Sequence, residues 1–453
     1  MDRDLTKGNV YINLLYMAVP TMLGFLSQTL YDIVDLIWIG RISGLAVASV
    51  TIIMTIIWLT DVVNEVIGVS SISLISQSYG RGDYEESARA IGQTIFFKMV
   101  IAAVIAVILS IFLKPIAKIF TNDTQTLQYI YDYGYIRIAT LPILFALFSI
   151  VTALRNIGES KKQMIIMTGS AVVNIILDPI MMFDVIPVIG IKGLGFGVFG
   201  AALATVISNI LAFGLGMYYL FKGNERIKMK VRDFIRLDWA MDYKLLTIGL
   251  PMGVENLLRN FSAIIVLKLV AGYGPEVIAV MGIGNRIIGF LMMPLLGLSM
   301  GGSTIVGQNL GKGNIDRSKS TAKISATFGM SMMILVTLLS FNFPKEIMKI
   351  FVLEPNIIQM GIPMVKIIVF SMIFSAVSFG ISACFMGSGY NFPYSVSSIV
   401  SKWVFQIPIM FYILKTYPES PNFIWYGFLV ASIVEMGINL YYYREGTWLK
   451  KRV

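Results

Sequence analysis

Twelve apolar stretches follow one another along this chain, at residues 14–39, 46–76, 91–113, 135–154, 164–182, 195–220, 245–269, 277–306, 322–343, 357–386, 394–414 and 423–443. A helix needs about 20 predominantly apolar residues to cross the hydrocarbon layer. A barrel strand would show about 10 residues of alternating pattern, and these runs do not alternate. The pattern predicts an all-α polytopic membrane protein with twelve transmembrane helices. Composition agrees: 56% of 453 residues are apolar and 14% charged, with mean hydropathy +0.76, against about 45–50% and about 25% in soluble domains. The opening "MDRDLTKGNVY" is polar and the run behind it is too long for a signal-peptide core, so no cleaved leader is expected.

The connections sort by charge. Both termini and the even-numbered connections carry most of the Lys and Arg outside the spans, including "RIKMKVRDFIRLDWAMDYK" at 226–244. The odd-numbered connections carry few. Basic connections stay on the cytoplasmic side, which predicts cytoplasmic termini and accounts for the net charge of +10 without nucleic acid as a partner. The chain has no histidine and one cysteine, Cys384. Histidine chemistry, His-ligated zinc, thiolate clusters and internal disulfides are therefore excluded. An enzyme is not expected, since neither a metal cluster nor a paired nucleophile is supplied.

The chain is also written twice. In "SLISQSYGRGDYEESA" (73–88) and "TIVGQNLGKGNIDRSK" (304–319), Gln77, Gly80, Gly82 and Ser87 recur as Gln308, Gly311, Gly313 and Ser318. The same offset of 231 relates Leu14, Leu15 and Pro20 to Leu245, Leu246 and Pro251, Ala48 to Ala279, and Gly158 to Gly389. The domains read as an N-terminal six-helix bundle (1–222), a basic cytoplasmic linker (223–239) and a C-terminal six-helix bundle (240–453). Six spans per copy put both copies in the membrane the same way up. That predicts two bundles about a pseudo-two-fold axis along the membrane normal, the parallel-repeat design of transporters, with a substrate path between the halves. The repeated G-x-G serves a tight turn, because glycine tolerates positive φ. A phosphate loop would need a strand before it and a helix after it, and that context is missing.

Acids inside the spans are expensive and should face a cavity or a partner. The first span holds Asp32 and Asp35 in "LYDIVDLIWIG". The fifth holds Asn174 and Asp178 in "NIILDPIMM", i and i+4 on one helix face, followed by Pro179. Proline has no N–H, so the Ile175 carbonyl loses its helical partner. Carboxylate, amide oxygen and freed carbonyl within one turn suit a proton or a monovalent cation. The alternative is a structural pair in which Asp178 caps or bonds a neighbouring helix. Asp61 and Glu65, Glu255 and Arg259 are further i, i+4 sets, read as additional polar groups of a cavity or as structural pairs. Glu255 with Arg259 is expected as an internal ion pair.

With these residues in view, the chain resembles the multidrug and toxic compound extrusion (MATE) transporters, most closely the DinF-like prokaryotic branch. "LYDIVDLIWIG", "LRNIGESKK", "NIILDPIMM" and "GAALATVIS" carry the likeness, which extends over all twelve spans. The resemblance implies a cation-coupling site at Asp35, Asn174, Asp178 and Thr205, with Na⁺ as a metal those four could hold. It implies secondary active efflux of amphiphilic, often cationic compounds in exchange for H⁺, Na⁺ or both. It also implies a multi-pass protein of the prokaryotic cytoplasmic (inner) membrane. In another branch the essential acids lie in the C-terminal half, whose spans here contain no aspartate.

No cofactor beyond the coupling ion is expected, and no ATP site is legible, because G-x-x-x-x-G-K-[ST] does not occur. The partners expected are small amphiphiles and membrane lipid, with the chain acting as a monomer. Among 27 Met, 6 Trp, 21 Tyr and 28 Phe, most pack or face lipid. Met292, Met293 and Met300 of "FLMMPLLGLSM" are the candidates for a soft substrate cavity. Pro20, Pro251 and Pro294 are places for spans to bend. Intramembrane Lys98, Lys268, Lys366 and Lys402 keep a rival in play, a flippase of phosphate-bearing lipids.

Overall fold

The computed structural model describes residues 3–187, 190–224, 226–234, 238–451 and 453. The helices are α1 (Val10–Gly40), α2 (Gly44–Arg81), α3 (Tyr84–Phe120), α4 (Thr124–Ala139), α5 (Leu141–Asn156), α6 (Ser160–Met182) and α7 (Gly197–Lys222). They continue as α8 (Trp239–Ala271), α9 (Pro275–Lys312), α10 (Ile315–Asn342), α11 (Pro344–Lys349), α12 (Pro355–Ser388), α13 (Phe392–Ile399), α14 (Ile407–Thr416) and α15 (Tyr426–Glu445). Among the described residues the β-structure is one isolated bridge, Val185 to Lys192.

Ten segments are long and apolar enough to cross a membrane as they stand. The fourth span is broken: α4 and α5 meet at a 51° bend. Pro142, in the first turn of α5, cannot donate to the Ile138 carbonyl, so the ladder is interrupted there. The seventh, α8, has spanning length, 33 residues, but Glu255, Asn256, Arg259, Asn260 and Lys268 dilute its hydropathy. Together these give twelve transmembrane spans, in two six-helix bundles. The eleventh span is α13 and α14 joined through a π-helical stretch, Val400–Gln406, where the Ile407 N–H reaches back to the Lys402 carbonyl. Pro408 follows at once and has no N–H for a regular ladder.

The chain forms two compact units. One comprises Leu23–Tyr79 and Asp83–Thr247, and the other Asp4–Met22, Gly80–Gly82 and Ile248–Val453. By the sequence repeat, residues 4–22 count with the first copy; by packing, they count with the second unit. There Leu5, Leu14, Met17 and Ala18 form one buried cluster with Leu298 and Ile305. Gly297 and Gly301 of α9 lie so close to α1 that an added Cβ would meet the Ala18 backbone at 2.9 Å. Arg317 fixes the entry to α1 by donating to the carbonyls of Leu5, Lys7 and Gly8. In the first unit, the core gathers Ile53, Leu113, Tyr133, Ile138, Phe145 and Val198.

The repeat is visible in the hydrogen bonds of each unit taken separately. Ser87 Oγ donates to the Ile75 carbonyl at 3.4 Å, and Ser318 Oγ to the Val306 carbonyl at 3.4 Å. The Asp83 N–H donates to Ser78 and the Asn314 N–H to Asn309. Gly82 and Gly313 both sit at φ +85°, the left-handed region that glycine enters without a Cβ penalty. Every one of these pairs is related by the offset of 231.

Of the basic linker, residues 225 and 235–237 lie outside the described residues. Val231–Phe234 forms a short 3₁₀ turn, and the Asp233 carbonyl lies directly on Gly92 of α3, where no side chain would fit. Just past the linker, Asp242 is buried and accepts from Gln93 Nε2 at 2.7 Å. Burial pushes the Asp242 carboxyl above the usual carboxylate range, and nearby Asp238 adds to this while the Gln93 hydrogen bond opposes it.

Candidate cation site

The site lies within the first unit, on α1, α6 and α7. Small residues create it. Gly200, Ala201, Ala202 and Ala204 are buried along α7, and a Cβ on Gly200 would lie 2.5 Å from the Met181 carbonyl. Past Pro179 the chain folds back on the end of α6. The Leu194 N–H donates to the Ile180 carbonyl and the Phe196 N–H to the Met181 carbonyl. This tight return seats α7 against α6 and brings Thr205 to Asn174.

Asn174 Nδ2 donates to Asp178 Oδ1 at 3.1 Å and to Thr205 Oγ1 at 3.4 Å. Thr205 Oγ1 in turn donates to the Ala201 carbonyl at 3.0 Å. Asp35 comes from α1 and lies within electrostatic reach of Asp178. All four side chains are nearly inaccessible, at 4% exposure or less. Asp35 Oδ1, Asn174 Oδ1 and Asp178 Oδ2 are buried without a hydrogen-bond partner. Buried oxygens are normally satisfied, so three orphaned oxygens on two helices, beside a threonine hydroxyl, form a set of hard donors. That set fits a proton or a small monovalent cation, and the residues fit Na⁺ by donor type.

Two features were not read from the sequence. Arg137, in the last turn of α4 beside the bend, is buried, and its Nε lacks a partner. It acts electrostatically on Asp32, Asp35, Asp61 and Asp178, yet among the described residues no ion pair joins it to any of them. Tyr133, one turn earlier and fully buried, presents its ring to the guanidinium at 5.9 Å. An arginine at the start of an apolar stretch, in "YDYGYIRIAT", was the available signal.

The other polar candidates lie apart from these four. Asp32 is exposed and bonds to Tyr31. Asp61 and Glu65 are half-buried on α2 and share the buried Lys98, whose Nζ donates to Asn64 Oδ1 at 2.7 Å. In the second unit, Arg259 Nε pairs with Glu255 at 3.4 Å, and Ser398 donates to the same Glu255 oxygen at 2.6 Å. Lys402, in the π-helical stretch, donates to Ser398 at 2.9 Å and approaches Glu435 at 3.8 Å. Lys366 lies over the Phe341 ring and Lys268 is exposed. Met292 packs against Leu295, Met333, Met372 and Ala376, and Met293 and Met300 are half-buried on the same helix, α9.

The MatE family model matches the chain in two segments, residues 20–180 and 251–412, which begin at the two prolines related by the repeat. The chain belongs to the MatE family. It is a prokaryotic MATE transporter, similar over nearly its whole length to proteins named for drug export. It is 27% identical to the probable multidrug resistance protein YoeA of Bacillus subtilis, covering 99% of this chain and 96% of that protein. It is 26% identical to the multidrug export protein MepA of Staphylococcus haemolyticus, covering 94% and 92%. A relative at 22% identity, from Shewanella oneidensis, is named an FAD transporter and covers 78% of this chain and 76% of its own. Among solved structures, an outward-facing MATE family transporter of the MOP superfamily superposes with TM-score 0.88 at 20% identity, over 99% of this chain and 98% of that one. That likeness concerns the fold.

Proposed function

We propose that this MATE transporter is a secondary active antiporter of the prokaryotic cytoplasmic membrane, exporting amphiphilic, often cationic compounds in exchange for H⁺ or Na⁺. One observation carries the reading: the orphaned oxygens of Asp35, Asn174 and Asp178 gather beside Thr205 in the first unit. In the ion-free state two buried carboxylates favour a cation. Loading H⁺ or Na⁺ neutralises Asp35, lets α1 repack and lowers the affinity for substrate, so ion and substrate are negatively coupled. The coupling ion is cargo held by these four side chains, and no other cofactor enters. Both termini lie in the cytoplasm, as the basic connections imply, and the monomer is the working unit.

The buried lysines favour export of cations over flipping of phosphate-bearing lipids. Lys98 is engaged by Asn64, with Asp61 and Glu65 close by, and Lys402 by Ser398 and Glu435, which leaves less positive charge for a phosphate.

The test is efflux of a fluorescent organic cation from proteoliposomes under an imposed pH gradient and, separately, an imposed Na⁺ gradient. Efflux driven by a gradient and abolished in Asp35→Asn and Asp178→Asn supports antiport. Transport indifferent to both gradients and both substitutions contradicts it.

A further inference from the structure

The cluster that would hold the coupling ion already has a positive charge beside it. Arg137 is fixed at the bend between α4 and α5, where Thr140 Oγ1 donates to the Arg137 carbonyl at 3.1 Å. Its guanidinium is buried with an unpartnered Nε. The groups facing it are Tyr31, Asp32 and Asp35 from α1, Asp61 from α2, Tyr133 from its own helix and Asp178 from α6. Four carboxylates thus surround one guanidinium, and among the described residues none closes to ion-pair distance. Arginine keeps its charge throughout the accessible pH range, so this charge is permanent.

We infer that Arg137 is a tethered counter-cation that excludes sodium from the Asp35–Asn174–Asp178–Thr205 cluster and so restricts the coupling ion. The inference rests on the reading of that cluster as the coupling site. Sodium must gather several oxygen ligands at once, whereas a proton needs one oxygen. A guanidinium carries five donors, and each one turned toward a carboxylate removes a ligand sodium would need. Its charge acts as well: a like charge about 6 Å away weakens cation binding on the order of a hundredfold at an effective dielectric of about 20. Sodium coordinates poorly in such a site, which leaves the proton as the coupling ion.

The test reads sodium binding directly. Purified transporter in detergent is titrated with NaCl against choline chloride at constant ionic strength and pH, following the thermal unfolding midpoint, since a ligand of the folded state raises it. Wild type and Arg137→Lys should show no sodium-specific stabilisation at hundreds of millimolar. Arg137→Gln should acquire it, with affinity higher on the order of a hundredfold, and Arg137→Gln combined with Asp178→Asn should lose it again. Sodium-specific stabilisation of wild type at low millimolar concentration overturns the inference, and so does a folded Arg137→Gln that stays indifferent to sodium. Should Arg137→Gln fail to fold, binding of radioactive ²²Na⁺ to wild type decides: none is expected at low millimolar concentration, and saturable binding there overturns the inference. If Asp178→Asn leaves proton-driven efflux intact, the coupling-site reading itself fails, an outcome separate from either sodium result.

Discussion

Asn174 and Asp178 stand one turn apart on α6, with Asn174 Nδ2 donating to Asp178 Oδ1 at 3.1 Å, while Asn174 Oδ1 and Asp178 Oδ2 face away unpartnered. The amide therefore orients the carboxylate and offers its own oxygen beside it. Asn174→Leu keeps the volume roughly constant but removes both. Losing a hydrogen bond to a charged group costs about 1.5–3 kcal/mol. Ion-driven efflux should fall by roughly tenfold to a hundredfold, with the coupling-ion dependence shifted to higher concentration. Initial rates in proteoliposomes at several ion concentrations check this.

Gly200 sets the distance between α6 and α7. Gly200→Val would drive two methyl groups toward the Met181 carbonyl, which already lies 2.5 Å from an ideal Cβ. Overpacking of this kind costs about 1–3 kcal/mol. It should also move Thr205 away from Asn174. A lower unfolding midpoint together with weakened ion dependence is expected, whereas Gly214→Ala, where a Cβ meets nothing within 4 Å, should leave both unchanged.

The two halves should respond alike to the same backbone insult. Gly82 and Gly313 both adopt φ +85°, and a methyl added at either would meet open space. Only the left-handed backbone is penalised, by about 1–2 kcal/mol per residue. Gly82→Ala and Gly313→Ala should therefore lower the unfolding midpoint by similar amounts. A clear inequality would show that the two turns carry different loads despite their shared geometry.

Asp242 gives a pH signature outside the membrane. Its carboxyl is held above the usual range, chiefly by burial, so the fold favours the neutral acid. Its contribution to stability is then fully present below the unfolded value of about 3.9 and is lost as pH rises through the folded value. Asp242→Asn keeps a neutral group against Gln93 at every pH. The variant should be more stable than wild type at neutral and mildly alkaline pH, with the gap closing as the solution is acidified. Unfolding midpoints across that range check the sign.

Much of this architecture was legible because membrane helices announce themselves by length and apolarity. The 231-residue offset returned as matching hydrogen bonds at Ser87 and Ser318 and matching φ at Gly82 and Gly313. The fourth span was harder, because reading it from Tyr135 placed α4's first two turns outside the membrane and hid Arg137 at the edge of an apolar run. Spacing along one helix brings Asn174 to Asp178, and the structure adds Asp35 and Thr205 from two other helices through the small face of α7. The packing of residues 4–22 with the second unit depends on Gly297 and Gly301 meeting α1, a long-range contact that no local pattern encodes. Met292 reads equally as cavity or core from sequence, and its neighbours Leu295, Met333 and Met372 are core residues.

The central claim is that substrate and coupling ion exclude one another at the first unit. The most direct measurement adds a fluorescent organic cation to purified, weakly buffered transporter and follows both substrate binding and the release of H⁺, with a parallel series in Na⁺. Negative coupling predicts that binding displaces the ion, that substrate affinity falls as the ion is raised, and that both effects vanish in Asp178→Asn. Substrate binding with no ion released, at an affinity independent of pH and Na⁺, would contradict it.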